Sequence, residues 1–178
     1  MKFIDMVMVK SVQNNAIGLL FILSVLLIGN SCSDQNMDND FYRNVLGVNI
    51  IPEEKVIQYD EESARNEGYS LEVVRWHALG KLDFREGFPI VDDYRKDWSI
   101  SKWQETSATI SEDFDPIFKH FIEKEDVKNR IKDARKLLMS EGNYYCYFYK
   151  KKGDYVDAVN LYILDTQAKL LYVFYAVV

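Results

Sequence analysis

The C-terminal part of the chain restricts the fold more than any other segment. Three apolar and aromatic runs, 144–150, 155–164 and 170–178, alternate with two short polar connections. The first connection, Lys-Gly-Asp at 152–154, is typical of a β-hairpin turn, because glycine and aspartate readily adopt turn conformations. The last run, LLYVFYAVV, is apolar on both faces, as expected of a strand that is covered on both sides. This pattern predicts an antiparallel meander of three strands.

Two segments with helical spacing precede the meander. The Asp-Pro pair at 115–116 is typical of a helix N-terminus, because proline fits the first helical turn. The second segment is predicted to be helical over 126–141, and Gly142 follows it as a typical C-terminal stop. Both segments place apolar residues on one stripe. These residues are Ile117, Phe118, Phe121 and Ile122 in the first segment and Val127, Ile131, Ala134 and Leu138 in the second.

The segment before the helices predicts shorter strands. The apolar run 46–51, which Pro52 closes, and residues 56–59 are strand candidates. Residues 69–78 are a third candidate, because they are rich in β-branched and aromatic side chains. The polar stretch 60–68 between them is predicted to be a turn or loop.

Together these segments predict an α+β fold in one domain, residues 45–178. An antiparallel sheet that ends in the C-terminal three-strand meander would carry two helices packed on one face. The early strands, the segment 84–105 or a partner would cover the other face. Residues 79–110 have no regular pattern, and a long irregular segment inside a domain is uncommon unless it is functional.

The N-terminal segment has the pattern of an export signal. Lys2 and Lys10 precede an apolar run of 13 residues at 16–28. A membrane-spanning helix needs about 20 residues, so this run is more typical of the core of a signal peptide. The small or polar residues at 29–31 lead to Cys32, after which the chain becomes polar and acidic.

This arrangement resembles the signal of bacterial lipoproteins, in which a cysteine receives lipid and becomes the first residue of the mature chain. Ser31 fits the position before that cysteine, whereas Gly29 and Asn30 replace the usual leucine and small residue. Looser boxes of this kind, followed by serine, aspartate and further acids, resemble those of Bacteroides-type bacteria. The resemblance implies a signal peptide over 1–31 and a lipidated Cys32.

The same resemblance implies an outer-membrane lipoprotein of the cell envelope, facing the periplasm or the cell surface. The lipid on Cys32 would hold the protein at the membrane, because two or more acyl chains anchor stably. Residues 32–44 would comprise the lipidated cysteine and its acidic tether. A plain signal peptide with an incidental cysteine is the alternative.

The charge balance argues against one class of partner. The net charge is −6 and the isoelectric point is about 5.0, and removal of residues 1–31 would leave a net charge of −7. A protein that binds nucleic acid through the backbone phosphates needs the opposite charge. Nucleic acid is therefore not expected as a partner.

The chain carries no sequence motif of catalysis or of metal binding. It lacks the nucleophile elbow, the phosphate-binding glycine loops and the zinc-protease motif. His77 and His120 do not have metal-ligand spacing, and the acidic stretch after Asp34 lacks the glycine and the glutamate of an EF-hand calcium loop. Cys146 lies in an aromatic run, where a thiol is expected to be buried and inert. Neither an enzyme nor a bound metal or cofactor is predicted.

The order of the segments resembles a group of small uncharacterised bacterial α/β proteins. In these proteins an early strand, a turn and a second strand precede a tryptophan-containing segment, helices and a C-terminal aromatic meander. The corresponding segments here are VIQYDEESARNEGYSLEVV, KDWSISKW, NYYCYFY and AVNLYILDTQAKLLYVFY. The group has no established activity, so the resemblance implies a fold and no function.

Aromatic residues supply the candidate binding positions, which are Trp76, Tyr94, Trp98 and Trp103. Exposed aromatic side chains anchor protein interfaces and stack on sugars. The preferred hypothesis is a non-catalytic module that binds a protein, and an immunity-type protein that masks a toxin is one version of it. A carbohydrate-binding accessory lipoprotein that uses Trp98 and Trp103 is the first alternative, and a hydrolase with unrecognised carboxylates is the second. The basic run at 150–152 is interpreted as a solvated hairpin tip.

Overall fold

The computed structural model describes residues 39–62, 68–107, 114–120 and 122–177. Within these ranges one antiparallel sheet of seven strands is accompanied by three α-helices and a 3₁₀ turn. In chain order the elements are α1 (Asn39–Asn44), β1 (Ile50–Glu62), β2 (Gly68–Ala78), the 3₁₀ turn (Asp93–Arg95), β3 (Ser99–Ile100), β4 (Gln104–Glu105), α2 (Asp115–Phe118), α3 (Glu125–Leu138), β5 (Tyr144–Lys152), β6 (Tyr155–Asp165) and β7 (Leu170–Val177).

The predicted C-terminal meander is confirmed. Strands β5, β6 and β7 are consecutive antiparallel neighbours, and register pairs such as Leu164 with Leu171 align them. The sheet order is β1-β2-β7-β6-β5-β3, and β4 also pairs with β5. Strand β7 therefore lies between β2 and β6, inside the sheet, as its two apolar faces indicate.

Two clusters of buried side chains form the core. The first cluster combines residues of β2, β6 and β7 with Ile117 of α2 and with Val127 and Leu138 of α3. Its strand residues alternate along the chain with those of the second cluster, which is described below. Successive side chains of a strand point to opposite faces, so the two clusters lie on opposite faces of the sheet.

The second cluster contains Trp76 of β2 and Tyr42 of α1, together with buried residues of β5 and β6. The half-buried side chains of Phe84, Trp98 and Trp103 pack against it. The segment 84–105 therefore lies on this face of the sheet. It is one of the three candidates that the sequence analysis offered for covering the face opposite the helices.

The antiparallel sheet of the predicted α+β fold is present, but the described part of the molecule is largely β with few helices. Helix α2 is a single turn and does not include the whole apolar stripe predicted for it. Ile122 is buried outside the helix, and Phe121 lies outside the described residues. Nucleation of a helix is costly, so the length of a short helix is set by tertiary packing more than by its local pattern. Helix α3 begins and ends close to the predicted positions.

Strand β1 also differs from the prediction. The end of the first short candidate, residues 50–51, and the whole of the second, residues 56–59, belong to one strand of 13 residues that continues through Pro52. The pairing with β2 shifts register between Pro52 and Glu54, and β1 is the edge strand of the sheet. Proline is tolerated there because an edge strand or a bulge does not need its missing N–H group. Residues 60–62, predicted to be loop, pair with β2 as part of this strand.

Helix α1 occupies part of the segment that the sequence assigns to the tether. Its residue Tyr42 is buried in the second cluster. Cys32 and the predicted signal peptide lie outside the described residues. Within the part of the chain that is described, no helix is both long and apolar enough to cross a membrane.

Candidate functional site

Exposed apolar side chains mark the connector between β2 and β3, residues 79–98. Tyr94 is the most exposed of them, with 93% of its surface accessible to solvent, and Leu79, Ile90 and Val91 are exposed as well. We call these four residues the connector surface. Tyr94 is the candidate for binding among them, because exposed aromatic side chains anchor protein interfaces.

The backbone of the connector is bonded to the link between α1 and β1. The N–H group of Arg85 donates to the carbonyl oxygen of Gly47 over 2.8 Å, and that of Ile90 donates to the carbonyl oxygen of Val45 over 2.9 Å. The exposed Ile90 side chain therefore projects from a backbone that is held in place.

Gly47 is required at this junction for two reasons. Its φ angle is +67°, in the left-handed region that favours glycine. In addition, the side chain of Phe88 occupies the space into which a Cβ atom of residue 47 would point. The close approach lets the Phe88 side chain pack directly against the link.

Asn49 holds the start of the connector. Its Nδ2 atom donates to the carbonyl oxygens of Leu79 and Lys81 over 3.2 Å and 2.7 Å. Its Oδ1 atom accepts a hydrogen bond of 2.8 Å from the N–H group of Asp83. One amide side chain therefore satisfies three backbone groups and fixes the turn that begins at Leu79.

Arg95 anchors the 3₁₀ turn to the sheet. Its Nε atom donates to Asn160 Oδ1 over 3.0 Å, and its Nη1 atom donates to the carboxylate of Asp92. The guanidinium carbon lies 5.3 Å and 5.2 Å from the ring centroids of Phe41 and Phe148. The Arg95 and Asp92 side chains are only 19% and 14% exposed, so this ion pair is largely removed from water.

The contacts of Arg95 have a geometry that suits an arginine side chain. A planar guanidinium group can bond to Asp92 and Asn160 while its faces contact aromatic rings, which an ammonium group cannot do. Burial raises the pKa of the nearby Tyr162 hydroxyl, and the positive charge of Arg95 opposes that effect. The Oδ1 atom of Asp92 is buried and has no hydrogen-bond partner among the described residues. The Asp92 charge therefore depends mainly on Arg95 for compensation.

The exposed ring of Tyr94 consequently has a rigid support. The N–H group of Arg95 donates to the carbonyl oxygen of Asp92 over 3.1 Å, and that of Trp98 donates to the carbonyl oxygen of Arg95 over 2.9 Å. These bonds fix the backbone on both sides of Tyr94. A tyrosine side chain has only two torsions, so little conformational entropy remains to be lost on binding.

Of the three candidate tryptophans, one belongs to the second cluster and the other two pack against it. Trp76 is 1% exposed, and Lys169 Nζ lies 4.7 Å from its ring centroid. Trp98 and Trp103 are half-buried against the second cluster, and Trp103 Nε1 donates to the carbonyl oxygen of Leu46 over 2.8 Å. Of the four predicted binding residues, Tyr94 alone is exposed.

Reasoning from the sequence missed Leu79 and Arg95 as parts of the site, and it also missed the aliphatic pair at 90–91. A signal for the pair existed, because two aliphatic residues stand between Pro89 and two aspartates in a segment without periodicity. Arg95 had no such signal, because its partners in β6 are 65 and 67 residues away along the chain.

Both histidines contact carboxylates of β1. His77 Nδ1 lies 2.7 Å from Glu53 Oε1, and His120 Nε2 lies 3.1 Å from Glu61 Oε2. Glu61 also accepts a 2.8 Å hydrogen bond from the Tyr59 hydroxyl. The bond from Tyr59 and then that from His120 hold the pKa of Glu61 below its ordinary value. Burial, together with the bond to Glu61, raises the pKa of Tyr59 to about 12.

Cys146 is fully buried in the second cluster, and burial raises the pKa of its thiol well above the ordinary value. A thiol of this kind is poorly reactive. Among the described residues, no group of three or more histidine, cysteine, aspartate or glutamate side chains could hold a metal ion.

Comparison with protein families, with curated proteins and with solved structures found no match to this chain.

Proposed function

We propose that this chain is a lipid-anchored protein of the cell envelope that binds a protein partner through the connector surface, without catalysis. The observation that carries the binding role is the exposure of Tyr94 on a turn that Arg95 fixes to the sheet. Anchoring at the membrane is supported by the pattern of residues around Cys32.

The exposed side chain of Tyr94 has the properties of an interface hot spot. Tyrosine is enriched among the residues that dominate binding energy, and an aromatic side chain buries about 150–250 Å² when it is covered. The backbone that carries Tyr94 is already bonded to β6 through Arg95 and to the link between α1 and β1 through Ile90. Binding would not have to order this backbone, so less of the interaction energy is lost.

The charge of the chain indicates the chemistry of the partner. The net charge is −6, and the carboxylate of Asp93, beside Tyr94, is 92% exposed with Lys96 at 3.4 Å. A chain of net negative charge with an exposed tyrosine complements a basic protein surface that has an apolar pocket for the tyrosine ring. An immunity-type protein that masks a basic toxin is one version of this function.

The same proposal includes a helical layer, formed by α2 and α3, on the face of the sheet opposite the connector. It is supported by the buried cluster that Ile117 of α2 shares with Val127 and Leu138 of α3 and with residues of β6 and β7. With one face occupied by helices, the connector face would be the side available to a partner.

The two alternatives have less support. A carbohydrate-binding protein would present aromatic rings to solvent, whereas Trp98 and Trp103 pack against the second cluster. A hydrolase would need convergent carboxylates in a concave pocket, whereas the carboxylates of Glu53 and Glu61 are each 45% exposed beside their histidines.

Site-specific photocrosslinking in the native cell tests the binding role. A photoreactive phenylalanine analogue replaces Tyr94 in one strain and Met139 in another, because Met139 is 53% exposed at the end of α3. We expect one basic protein to be captured from position 94 and not from position 139. Equal capture from both positions, or capture from neither, would contradict the proposal.

A further inference from the structure

A second unusual surface lies at the tip of the hairpin between β5 and β6. Residues Lys150, Lys151 and Lys152 are consecutive and all exposed. Tyr155 pairs with Lys152 across the hairpin, and its side chain is 58% exposed. We call these four residues the basic tip.

Ion pairs do not neutralise these lysines. Within the described ranges no salt bridge involves residues 150–152, in contrast to Lys55, whose ammonium group lies 3.2 Å from the Glu72 carboxylate. Asp154 and Asp157 are the acids of the hairpin near its tip, and three lysines outnumber them. The tip is therefore a positive site on a chain with a net charge of −6.

A cleft lined by tyrosine, valine and lysine side chains adjoins the basic tip. Tyr147, Tyr149, Lys151, Val156 and Val159 line a cavity of about 90 Å³, and Lys151 Nζ lies 5.7 Å from the ring centroid of Tyr149. Cations beside amphipathic tyrosines are typical of groups that contact a membrane interface, where lysines meet phosphates and tyrosines lie at the level of the headgroups.

We propose that the basic tip docks onto a membrane surface that contains anionic phospholipids. Lys150, Lys151 and Lys152 would contact the headgroup phosphates, and Tyr155 would lie at the interface. Each lysine near an anionic surface favours the docked state by about fivefold, and the two hairpin acids reduce the combined effect. A hairpin tip that meets the membrane would restrict the rotation of the whole domain.

The inference rests on the proposed membrane anchor. Seven residues of chain lead from Cys32 to Asn39, and they span at most about 25 Å when fully extended. An acylated Cys32 would therefore keep the domain close to the headgroups, where a weak electrostatic contact has a high effective concentration.

Lysine accessibility on vesicles tests the docking. The full chain is reconstituted into vesicles of phosphatidylcholine alone or of phosphatidylcholine with phosphatidylglycerol, and amine acetylation is measured by mass spectrometry. The readout is the modification of Lys151 relative to that of Lys132, an exposed lysine on α3. We expect this ratio to fall at least about fivefold on anionic vesicles only, and to recover in high salt, which screens exposed charges.

Matched variants test the cause of the protection. The double variant K150Q/K152Q should lose most of the protection at Lys151, whereas R135Q/K136Q removes two exposed positive charges from α3 and should retain it. Equal loss in both variants, equal protection on neutral vesicles, or no protection on anionic vesicles would overturn the proposal. Equal protection by inorganic phosphate in solution would also overturn it, because it would indicate a phosphate site.

The two proposals can fail separately in this experiment. Retention of the protein on neutral vesicles reports on the anchor, whereas protection of Lys151 on anionic vesicles reports on the basic tip.

Discussion

Arg95 of the 3₁₀ turn and Asn160 of β6 are joined by a hydrogen bond of 3.0 Å between Nε and Oδ1. Asn160 is a buried polar residue within a strand that is otherwise mostly buried and apolar. Through this bond the turn that exposes Tyr94 is attached to the interior of the sheet. The stability of the fold and the geometry of the proposed interface therefore depend on the same arginine.

Replacement of Arg95 by alanine should destabilise the protein, because it leaves the Asp92 carboxylate largely buried without its counter-ion. Loss of one partner of a buried pair costs about 3–5 kcal/mol, and partial exposure of both groups lowers this to about 2–3 kcal/mol. Urea denaturation measures the change in the free energy of unfolding. The control is Lys96→Ala, because Lys96 and Asp93 form an exposed pair; a loss below about 1 kcal/mol is expected there. Equal losses of unfolding free energy in both variants would contradict the role of Arg95 in attaching the 3₁₀ turn to the sheet.

Two glycine variants separate backbone strain from the close approach of Phe88. Gly80 has a positive φ of +89°, and a Cβ atom there would meet nothing within 4 Å. Gly80→Ala should therefore cost about 1–2 kcal/mol of unfolding free energy, from the left-handed backbone alone. Gly47→Ala should cost at least about 2 kcal/mol more, because the new methyl group overlaps the Phe88 side chain. A thermal or urea denaturation series that shows equal costs would contradict the packing described for the link.

The Glu61 carboxylate should make stability depend on pH in the acidic range. Its pKa is lowered in the folded state, so its stabilising effect is present above the ordinary value of 4.5 and is lost as the pH falls through the lowered value. Glu61→Gln should therefore be less stable than the natural chain at neutral pH, and the difference should shrink on acidification. Tyr59→Phe should reduce the same difference, because the Tyr59 hydroxyl is the largest cause of the shift. A difference that does not change with pH would contradict this assignment.

Acylation at Cys32 predicts a specific labelling pattern. Cells supplied with a labelled fatty acid should incorporate it into the natural chain and not into Cys32→Ala. The control is Cys146→Ala, because the Cys146 thiol is fully buried and should not be acylated in the folded protein. Label that persists in Cys32→Ala, or that disappears in Cys146→Ala, would contradict the lipoprotein assignment.

The sequence predicted those parts of the fold in which local pattern and tertiary position agree. The strands of the meander contain long apolar and aromatic runs, and the hairpin turn at 152–154 has the expected residues. Helix α3 has a regular apolar stripe and was predicted within a few residues. Strand β1 was divided in the prediction because Pro52 normally ends a strand, and its place at the sheet edge is a tertiary property that local pattern does not contain.

The candidate site was predictable only in part. Tyr94 was proposed as an exposed aromatic residue, and the structure exposes it. The tryptophans were proposed on the same grounds, but Trp76 is buried in the second cluster and Trp98 and Trp103 pack against it. Composition cannot separate an aromatic residue that packs from one that binds, because both are apolar and the difference lies in contacts between distant segments.

The affinity of the captured partner for Tyr94→Ala tests the central claim most directly. Isothermal calorimetry would compare this variant with the natural chain and with Met139→Ala. The second variant truncates another exposed apolar side chain, which lies outside the connector. Truncation of a hot-spot residue costs at least about 2 kcal/mol, so Kd should rise about thirtyfold or more for Tyr94→Ala and stay unchanged for Met139→Ala. Unchanged affinity of a folded Tyr94→Ala variant would contradict the account.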